Sequence, residues 1–461
     1  MDGAPDLVVR ARRVVLDVER PAAIAISGGR IVAVDAVDRP FPGAREVVVA
    51  DSVAVLPGLV DSHVHLQEPG PVHLEGFATG TRSAAAGGVT TVVDMPLDCV
   101  PATLDRGSLE AKRAAAQSSG AWVDLAFWGG VTPANLGRLA ELDGGGAVVG
   151  FKAYLCASGH PGFAPVTYEQ LEAAMVEVAG LGSVLAVHAE DAAELARGAR
   201  RPHVLGGNGS GGGHRYRDLL VSRPHEVETV AVAAVVAAAR RTGARVHIVH
   251  VSSAGAADLL ARARSDGVAV SGETCPHYLA LAAEAVPDGA VDHACSPPIR
   301  EAANADRLWQ HLAEGTLSMV VSDHSPLVAP GTDPGTDFGR APGGIVSLQV
   351  SLPVTWTAAR ARGVPLATVA RWMSGAPAEL AGLTRKGRIA VGMDADLCFL
   401  APEAEFVVHD EALHHRSGHS VYHGRILDGV VREVWLRGSP VDLTGPARGR
   451  LLSRSRPEED R

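Results

Sequence analysis

Residues 57–70 are Pro-Gly-Leu-Val-Asp-Ser-His-Val-His-Leu-Gln-Glu-Pro-Gly. An apolar run follows the Pro-Gly turn and ends in two histidines, His63 and His65. Side chains alternate between the two faces of a strand, so both imidazoles point to the same side. Two imidazoles side by side at a strand end can bind one metal ion. An ordinary half-buried strand has the same pattern, so the metal hypothesis depends on further ligands at other strand ends.

Length and composition place the chain among large globular proteins. It has 461 residues, 46% of them hydrophobic, and a formal net charge of −10. This is enough for one barrel-sized domain with a large core and a smaller second domain. The acidic balance argues against a nucleic-acid partner, which would require a basic surface. Lysine occurs only at positions 112, 152 and 386, so a lysine within an apolar strand is conspicuous.

Cysteine usage and the apolar segments predict a cytoplasmic protein without a membrane partner. The five cysteines are scattered and form no Cys-x-x-Cys pair, which suits a reducing compartment. Residues 1–6 contain no basic segment followed by an apolar one, as a signal peptide would. The most apolar helical run, residues 230–239, is too short to span a bilayer.

Both ends of the chain carry short β-branched runs separated by turns. They are residues 7–9, 23–26 and 46–49 at the start, and 387–400, 405–409 and 433–436 near the end. This pattern predicts strands. We therefore expect a small β-sandwich domain built from both termini, residues 1–56 and 386–445. A charged, flexible tail is expected to follow at 446–461.

The middle of the chain, residues 57–385, alternates strand and helix patterns. Strands are predicted at 58–63, 89–94, 123–128, 147–152, 184–188, 245–250, 268–272 and 318–323, and helices between them, for example at 105–119, 167–181, 224–242 and 301–314. Eight such units predict an α/β fold, a (β/α)8 TIM barrel. A doubly wound open sheet is the main alternative, but no Gly-x-Gly-x-x-Gly follows the first strand.

A glycine-rich segment at 206–213 resembles a phosphate-binding loop only superficially. It lacks the Gly-Lys-Ser/Thr ending and lies between helical segments. A flexible surface loop explains it better.

Candidate ligands recur at the carboxyl ends of five predicted strands, where barrel enzymes carry their chemistry. They are His63, His65, Lys152, His188, His250 and Asp323. Taken singly, His188 could begin a helix and Asp323 could cap one. His247 and His250 are an odd number apart and cannot both face the barrel centre, so His250 is the predicted ligand. The coincidence at one end of several strands favours a metal site.

Lys152 suggests a particular kind of metal site. A charged ammonium there would be desolvated and would repel a cation. A buried lysine with a lowered pKa can instead react with CO2, and the carbamate can bridge two metal ions. The hypothesis is a binuclear site with carboxylated Lys152 as the bridge. Nitrogen and oxygen ligands fit two Zn²⁺ per subunit, with Co²⁺, Mn²⁺ or Ni²⁺ as alternatives.

This ligand pattern resembles the amidohydrolase superfamily, in its cyclic-amidase branch, and within that branch the allantoinases. The resemblance extends over nearly the whole chain and is carried by residues 61–70, 75–82, 87–91, 95–103, Glu273-Thr-Cys-Pro-His-Tyr278, Cys295-Ser-Pro-Pro-Ile-Arg300, Ser322-Asp-His-Ser-Pro326 and 386–389. It implies a homotetramer that hydrolyses the ring of a small cyclic amide. Some proteins of this architecture have lost their ligands and act as scaffolds, but all six ligand positions are filled here.

Two departures from related enzymes favour allantoin as the substrate. Dihydroorotases typically carry an arginine two positions after the second metal histidine, where it pairs with the substrate carboxylate. This chain has Gln67 there, which suits neutral allantoin better. Hydantoinases and dihydropyrimidinases, the alternative, are expected to have a tyrosine five positions after the metal lysine. That position is Ala157, and the nearest tyrosine is Tyr154.

The resemblance also implies a mechanism and further site residues. A hydroxide bridging two metal ions attacks the polarised carbonyl, and Asp323 passes its proton to the departing ring nitrogen, giving allantoate. Backbone groups near Ser296 and in the Gly343-Gly344 segment are candidates for holding the ring, together with the side chain of Gln67. Ser296 could equally be a turn residue before Pro297.

Overall fold

The computed structural model describes residues 4–200, 213–328 and 335–455. Strands dominate both ends of the chain, and strands alternate with helices between them. Most of the glycine-rich segment at 206–213 lies outside the described residues, as does the end of the predicted tail, residues 456–461.

Strands from both ends of the chain share one eight-stranded sheet. Its members are β1 (Leu7–Val15), β2 (Glu19–Ser27), β3 (Arg30–Asp35), β4 (Arg45–Val48), β5 (Ala54–Pro57), β15 (Leu397–Val407), β16 (Ile426–Leu436) and β17 (Ser439–Pro440). The junction is the antiparallel pair of β5 and β15, with Val55 opposite Phe399. Apolar side chains such as Val9, Ile24 and Trp435 bury one face of the sheet. The predicted second layer of a sandwich stays a prediction.

The described residues in the middle of the chain form nine parallel strands. They are β6 (Leu59–Val64), β7 (Val89–Asp94), β8 (Asp124–Phe127), β9 (Gly129–Gly130), β10 (Phe151–Tyr154), β11 (Val184–His188), β12 (Arg245–Ile248), β13 (Val270–Thr274) and β14 (Met319–Val320). They form two groups, β6 to β8 and β9 to β14, each paired in chain order. A parallel bridge between Val64 and His324 links the start of one group to the end of the other. The carboxyl ends of these strands therefore lie along one edge.

Helices follow most of these strands. The described helices are α1 (Phe77–Ala86), α2 (Arg106–Ser119), α3 (Leu139–Asp143), α4 (Tyr168–Gly180), α5 (Ala192–Gly198), α6 (Tyr216–Ser222), α7 (His225–Thr242), α8 (Ala254–Ser265), α9 (Pro276–Ala280), α10 (Ala302–Ala313), α11 (Ser351–Arg360), α12 (Leu366–Ala370) and α13 (Ala376–Leu380). The Asp105 carboxylate accepts the Ser108 amide at 2.7 Å and caps the start of α2. Within the described ranges, no helix combines the length and apolarity needed to cross a membrane.

The predicted fourth strand begins later than expected. Residues 147–150 are not part of a strand, and regular pairing starts at Phe151. Gly144, Gly145 and Gly146 all have left-handed φ angles, of 49°, 82° and 101°, so the turn after α3 continues further along the chain. As a result Lys152 is the second residue of β10, where it pairs with Ala186 of β11, and not the last residue of a strand.

Candidate metal centre

Three of the predicted ligands meet where β6 ends. His63 Nε2 lies 3.2 Å from the Asp323 carboxylate, and His65 Nε2 lies 3.7 Å from the same oxygen, Oδ1. The two imidazole rings are 5.4 Å apart, as the His-x-His spacing predicts. The histidines are at most 4% exposed, so the three groups converge in a site shielded from water.

The other two histidines form a second pair beside the first. His188 Nδ1 and His250 Nε2 are 2.9 Å apart, and the His250 ring lies 5.4 Å from that of His63. Burial lowers the pKa of His188 and of His250, which keeps both imidazoles neutral and able to bind a cation.

Lys152 is fully buried among these groups. Its Nζ has no hydrogen-bond partner within the described part of the chain and lies 5.2 Å from the centre of the Tyr154 ring. Burial lowers the pKa of Lys152 to about 8. A neutral amine is therefore accessible near physiological pH, as the carbamate hypothesis requires.

Three carboxylates, two of them buried and that of Asp98 19% exposed, lie behind the histidines, each on the ring nitrogen that faces away from the cluster. Glu273 is 2.5 Å from His63 Nδ1, Asp98 is 2.7 Å from His65 Nδ1, and Glu190 is 2.8 Å from His188 Nε2. Such a carboxylate fixes the tautomer of a metal-binding histidine and makes it a better ligand. None of the three was predicted from the sequence. The sequence feature that could have indicated them is an acidic residue in or soon after a predicted strand.

The surroundings keep these carboxylates ionised. Burial alone would raise the pKa of Glu190, but Arg223, 2.6 Å away, and His188 lower it to about 2. Burial likewise opposes ionisation of Glu273, whose pKa is nevertheless lowered by His63 and His247. His247 Nε2 lies 3.0 Å from Glu273, on the side of this carboxylate away from the cluster, so His247 contacts the cluster through Glu273.

Backbone strain concentrates at the same place. Among the described residues, five other than glycine have a clearly positive φ, and four of them belong to this site. These are Gln67 at 63°, Asp98 at 62°, His250 at 39° and Asp323 at 48°. Left-handed backbone costs such residues about 1–3 kcal/mol each and persists where surrounding contacts impose it, commonly at functional sites.

The residues present fit a pair of divalent cations. The inner nitrogens His63 Nε2, His65 Nε2, His188 Nδ1 and His250 Nε2 converge, and the nearby Lys152 Nζ is unpaired within the described residues. Cys156 also lies close to His188 and Glu190, but burial raises the pKa of its thiol to about 12. A protonated thiol is a poor ligand, so the donors are nitrogen and oxygen, the set that suits Zn²⁺ and similar ions.

The predicted substrate-binding residues lie in different surroundings. Gln67 is 2% exposed, and its Nε2 is 3.4 Å from the carbonyl oxygen of Pro326. Ser296 is half-buried. The Gly344 amide donates to the Ala294 carbonyl at 2.8 Å, so only the carbonyl of Gly344 is left to hold a ligand.

Tyr154 lies beside the cluster. Its ring stacks on His188 with centroids 4.4 Å apart and an angle of 13° between the planes. Burial raises the pKa of Tyr154 well above its usual value, so the phenol stays protonated.

This combination of parallel strands and clustered histidines agrees with the comparison to known families. Residues 54–441 match the amidohydrolase family, and the chain belongs to that family. Allantoinases are among its relatives with similarity over nearly the full length. The chain is 49% identical to the allantoinase of Streptomyces avermitilis, covering 97% of this chain and 99% of that one. It is 37% identical to the allantoinase of Escherichia coli K12, covering 95% of each.

Solved structures of related cyclic amidases have the same overall fold. L-Hydantoinase (dihydropyrimidinase) from Arthrobacter aurescens superposes with a TM-score of 0.87 at 27% identity, covering 97% of this chain and 100% of that one. Dihydropyrimidinase from Brevibacillus agri gives a TM-score of 0.84 at 29% identity, covering 98% and 99%.

Proposed function

We propose that this protein hydrolyses the ring of allantoin to allantoate, a step in purine (ureide) breakdown. The observation that carries the proposal is the histidine cluster around Lys152 and Asp323, in a chain 49% identical to an allantoinase over nearly its full length.

The cluster would hold two divalent cations. His63, His65 and Asp323 would bind one, and His188 and His250 the other, with Lys152 between them as its carbamate. The neutral amine adds CO2, forms a nitrogen–carbon bond and releases one proton. Zn²⁺ is the expected metal, with Co²⁺, Mn²⁺ or Ni²⁺ as alternatives. When bound, such ions polarise a carbonyl and make water acidic enough to react near neutral pH.

The chain's own residues account for orientation and proton transfer. Asp323 accepts the proton of the attacking water and delivers it to the departing ring nitrogen. Asp98, Glu190 and Glu273 hold three of the histidines in the required tautomers. Burial of the whole cluster excludes bulk water, which strengthens every electrostatic contact within it.

The choice of substrate is supported by Gln67. A dihydroorotate carboxylate would be buried at this position without a guanidinium partner, which costs several kcal/mol. The alternative is a hydantoinase or dihydropyrimidinase activity, which the similarity to solved hydantoinases favours. The absence of a tyrosine at position 157 argues against it.

A parallel assay tests the proposal. Purified protein loaded with Zn²⁺ or Co²⁺ is offered allantoin, hydantoin and dihydroorotate at equal concentration. We expect allantoin to be opened with the highest kcat/KM. Faster turnover of hydantoin would transfer the assignment to the alternative, and no turnover of any ring would refute the enzymatic function.

The same proposal includes the architecture around the site. The Val64–His324 bridge and the bond from the His65 amide to the His324 carbonyl, 2.9 Å, support closure of the parallel strands into a (β/α)8 barrel over residues 57–385. The small β-domain would comprise 1–56 and 386–445. The resemblance to cyclic amidases supports a homotetramer, and five unpaired cysteines support a cytoplasmic location. Light scattering of the purified protein tests the tetramer.

A further inference from the structure

His277 is a buried imidazole that the mechanism above does not use. It is the second residue of α9, directly after β13, and is 1% exposed. Neither ring nitrogen has a hydrogen-bond partner among the described residues. An unsatisfied buried polar group costs about 1–3 kcal/mol, so two on one ring require an explanation.

The surroundings of His277 point to the reaction site. One of its ring nitrogens lies within 4.8 Å of an Asp323 carboxylate oxygen and of Cys275 Sγ. The ring is held edge-on to Tyr278, with centroids 4.2 Å apart, and the Tyr278 hydroxyl donates to the Pro297 carbonyl at 2.7 Å. His277 can therefore form a hydrogen bond beside Asp323, the proposed proton carrier, and its ring is held in place by Tyr278.

The chemistry of ring opening indicates which substrate atom would accept a hydrogen bond from His277. Water contributes OH to the attacked carbonyl carbon, the bond from that carbon to the ring nitrogen breaks, and a proton goes to the nitrogen. The electron pair left on this nitrogen spreads onto the oxygen of the next ring carbonyl, which becomes a stronger hydrogen-bond acceptor as the bond breaks. A donor near Asp323 lies close to that oxygen, because one carbon atom separates the oxygen from the nitrogen that Asp323 protonates.

We infer that His277 donates a hydrogen bond to the ring carbonyl adjacent to the departing nitrogen and stabilises the charge that develops there. This assignment rests on the proposed function, because it requires a ring in which the leaving nitrogen also carries a carbonyl. It gives His277 a role in the transition state, separate from that of the residues that would hold the cations.

The test compares allantoin with its analogue that carries sulfur in place of this carbonyl oxygen, since sulfur accepts hydrogen bonds poorly. Kinetics are measured for the wild type, His277→Ala, His277→Phe and His277→Gln, with metal content recorded for each. Tyr278→Phe is the matched control, because in the same helix it removes the hydroxyl that bonds to Pro297 and keeps the aromatic ring that packs against the imidazole. His277→Phe keeps a ring of similar volume but removes the donor. It therefore tests the role of the donor even if His277→Ala does not fold.

We expect kcat for allantoin to fall about 100-fold in the Ala and Phe variants with KM little changed, the effect of losing one transition-state donor. The preference for oxygen over sulfur should fall at least 10-fold in these two variants and stay unchanged in Tyr278→Phe. The Gln variant keeps a donor and should recover most of the rate. An oxygen-to-sulfur preference equal to that of the wild type in the Ala and Phe variants would overturn the inference alone. A wild type that opens neither ring would overturn the proposed function and this inference with it.

Discussion

Each of the three lysines of this chain is buried and has its own environment. Lys112 lies 2.5 Å from the Asp94 carboxylate, and Lys386 contacts three aspartates. Lys152 alone has an Nζ without a hydrogen bond in the described residues. Burial without a partner disfavours the ammonium, whereas the paired lysines have their pKa raised despite burial. The proposed reaction with CO2 is therefore expected at Lys152 and not at the other two lysines.

Replacing Lys152 with alanine is expected to remove the bridging ligand and with it the metal. Wild-type protein equilibrated with ¹³CO2 should show one carbamate resonance and bind two metal ions per chain by elemental analysis. Lys152→Ala should lose the resonance and most of the metal. Lys386→Arg is the control and should keep both. Two bound ions in Lys152→Ala would refute the bridging role.

Glu273 is expected to affect metal affinity without binding the metal. Glu273→Gln retains the size of the side chain but removes the charge that fixes the His63 tautomer, so the affinity for Zn²⁺ should fall about 10- to 100-fold. Competition with a chromogenic chelator measures this. Asp258→Asn is the matched control, because Asp258 pairs with His311 at 3.1 Å and takes no part in the cluster. Equal affinity in the two variants would contradict the positioning role.

For the strands and helices, the spacing of apolar residues, every second residue in strands and every 3.6 residues in helices, was sufficient to locate most elements. The strand at 89–94 and the helices at 105–119 and 224–242 were predicted to within a residue. The strand around Lys152 was misplaced because three left-handed glycines extend the preceding turn, which apolar periodicity does not register. Asp98 was missed for a related reason. It lies four residues beyond β7 and reaches His65 because its own backbone is left-handed, with a φ of 62°. The alternation of side chains along a strand does not predict the course of such a turn.

The segment from 414 to 417 contains a histidine that packs beside His324, the residue after Asp323. His415 is 7% exposed, and its ring centre lies 6.3 Å from that of His324. Burial lowers the pKa of His415 from 6.5 to about 3. The unfolded chain therefore binds a proton at this histidine below pH 6.5, whereas the folded chain does not until about pH 3. Stability from this residue is complete above pH 6.5 and is lost progressively as the pH falls toward 3.

Replacing His415 with glutamine should reduce the acid sensitivity of the fold. From pH 7 to pH 5 the wild type should lose about 2 kcal/mol more of its free energy of unfolding than His415→Gln does, since 1.5 pH units lie between pH 5 and the ordinary pKa. Denaturant unfolding at the two pH values measures this difference. His423→Gln is the control, because the side chain of His423 is 51% exposed, in contrast to the buried His415. Equal pH dependence in all three proteins would contradict the assignment.

At the scale of the molecule, a buried charge cluster connects the parallel strands with the terminal sheet. Lys386 Nζ lies 2.6 Å from Asp124, 2.9 Å from Asp394 and 2.6 Å from Asp396. Arg437 contacts Asp124 as well, at 2.7 Å. Asp124 is the first residue of β8, whereas the histidine cluster gathers around the carboxyl ends of the parallel strands. The charge cluster therefore lies at the amino end of β8, whereas the candidate metal site lies near the carboxyl ends of other parallel strands.

Lys386→Met should therefore weaken the fold and spare the metal centre. Removing one partner of a buried ionic cluster leaves uncompensated carboxylates and costs about 3–5 kcal/mol, whereas Arg240→Met, which removes an exposed pair with Asp266, should cost less than about 1 kcal/mol. Thermal and denaturant unfolding compare the two variants. Below the unfolding transition, Lys386→Met should still bind two metal ions and keep a kcat within about 2-fold of the wild type, because the Asp124 end of β8 contains none of the histidines. A stability loss no greater than that of Arg240→Met would show that the cluster does not hold the two parts together. Loss of metal at unchanged stability would show instead that the ends of the strands are not independent.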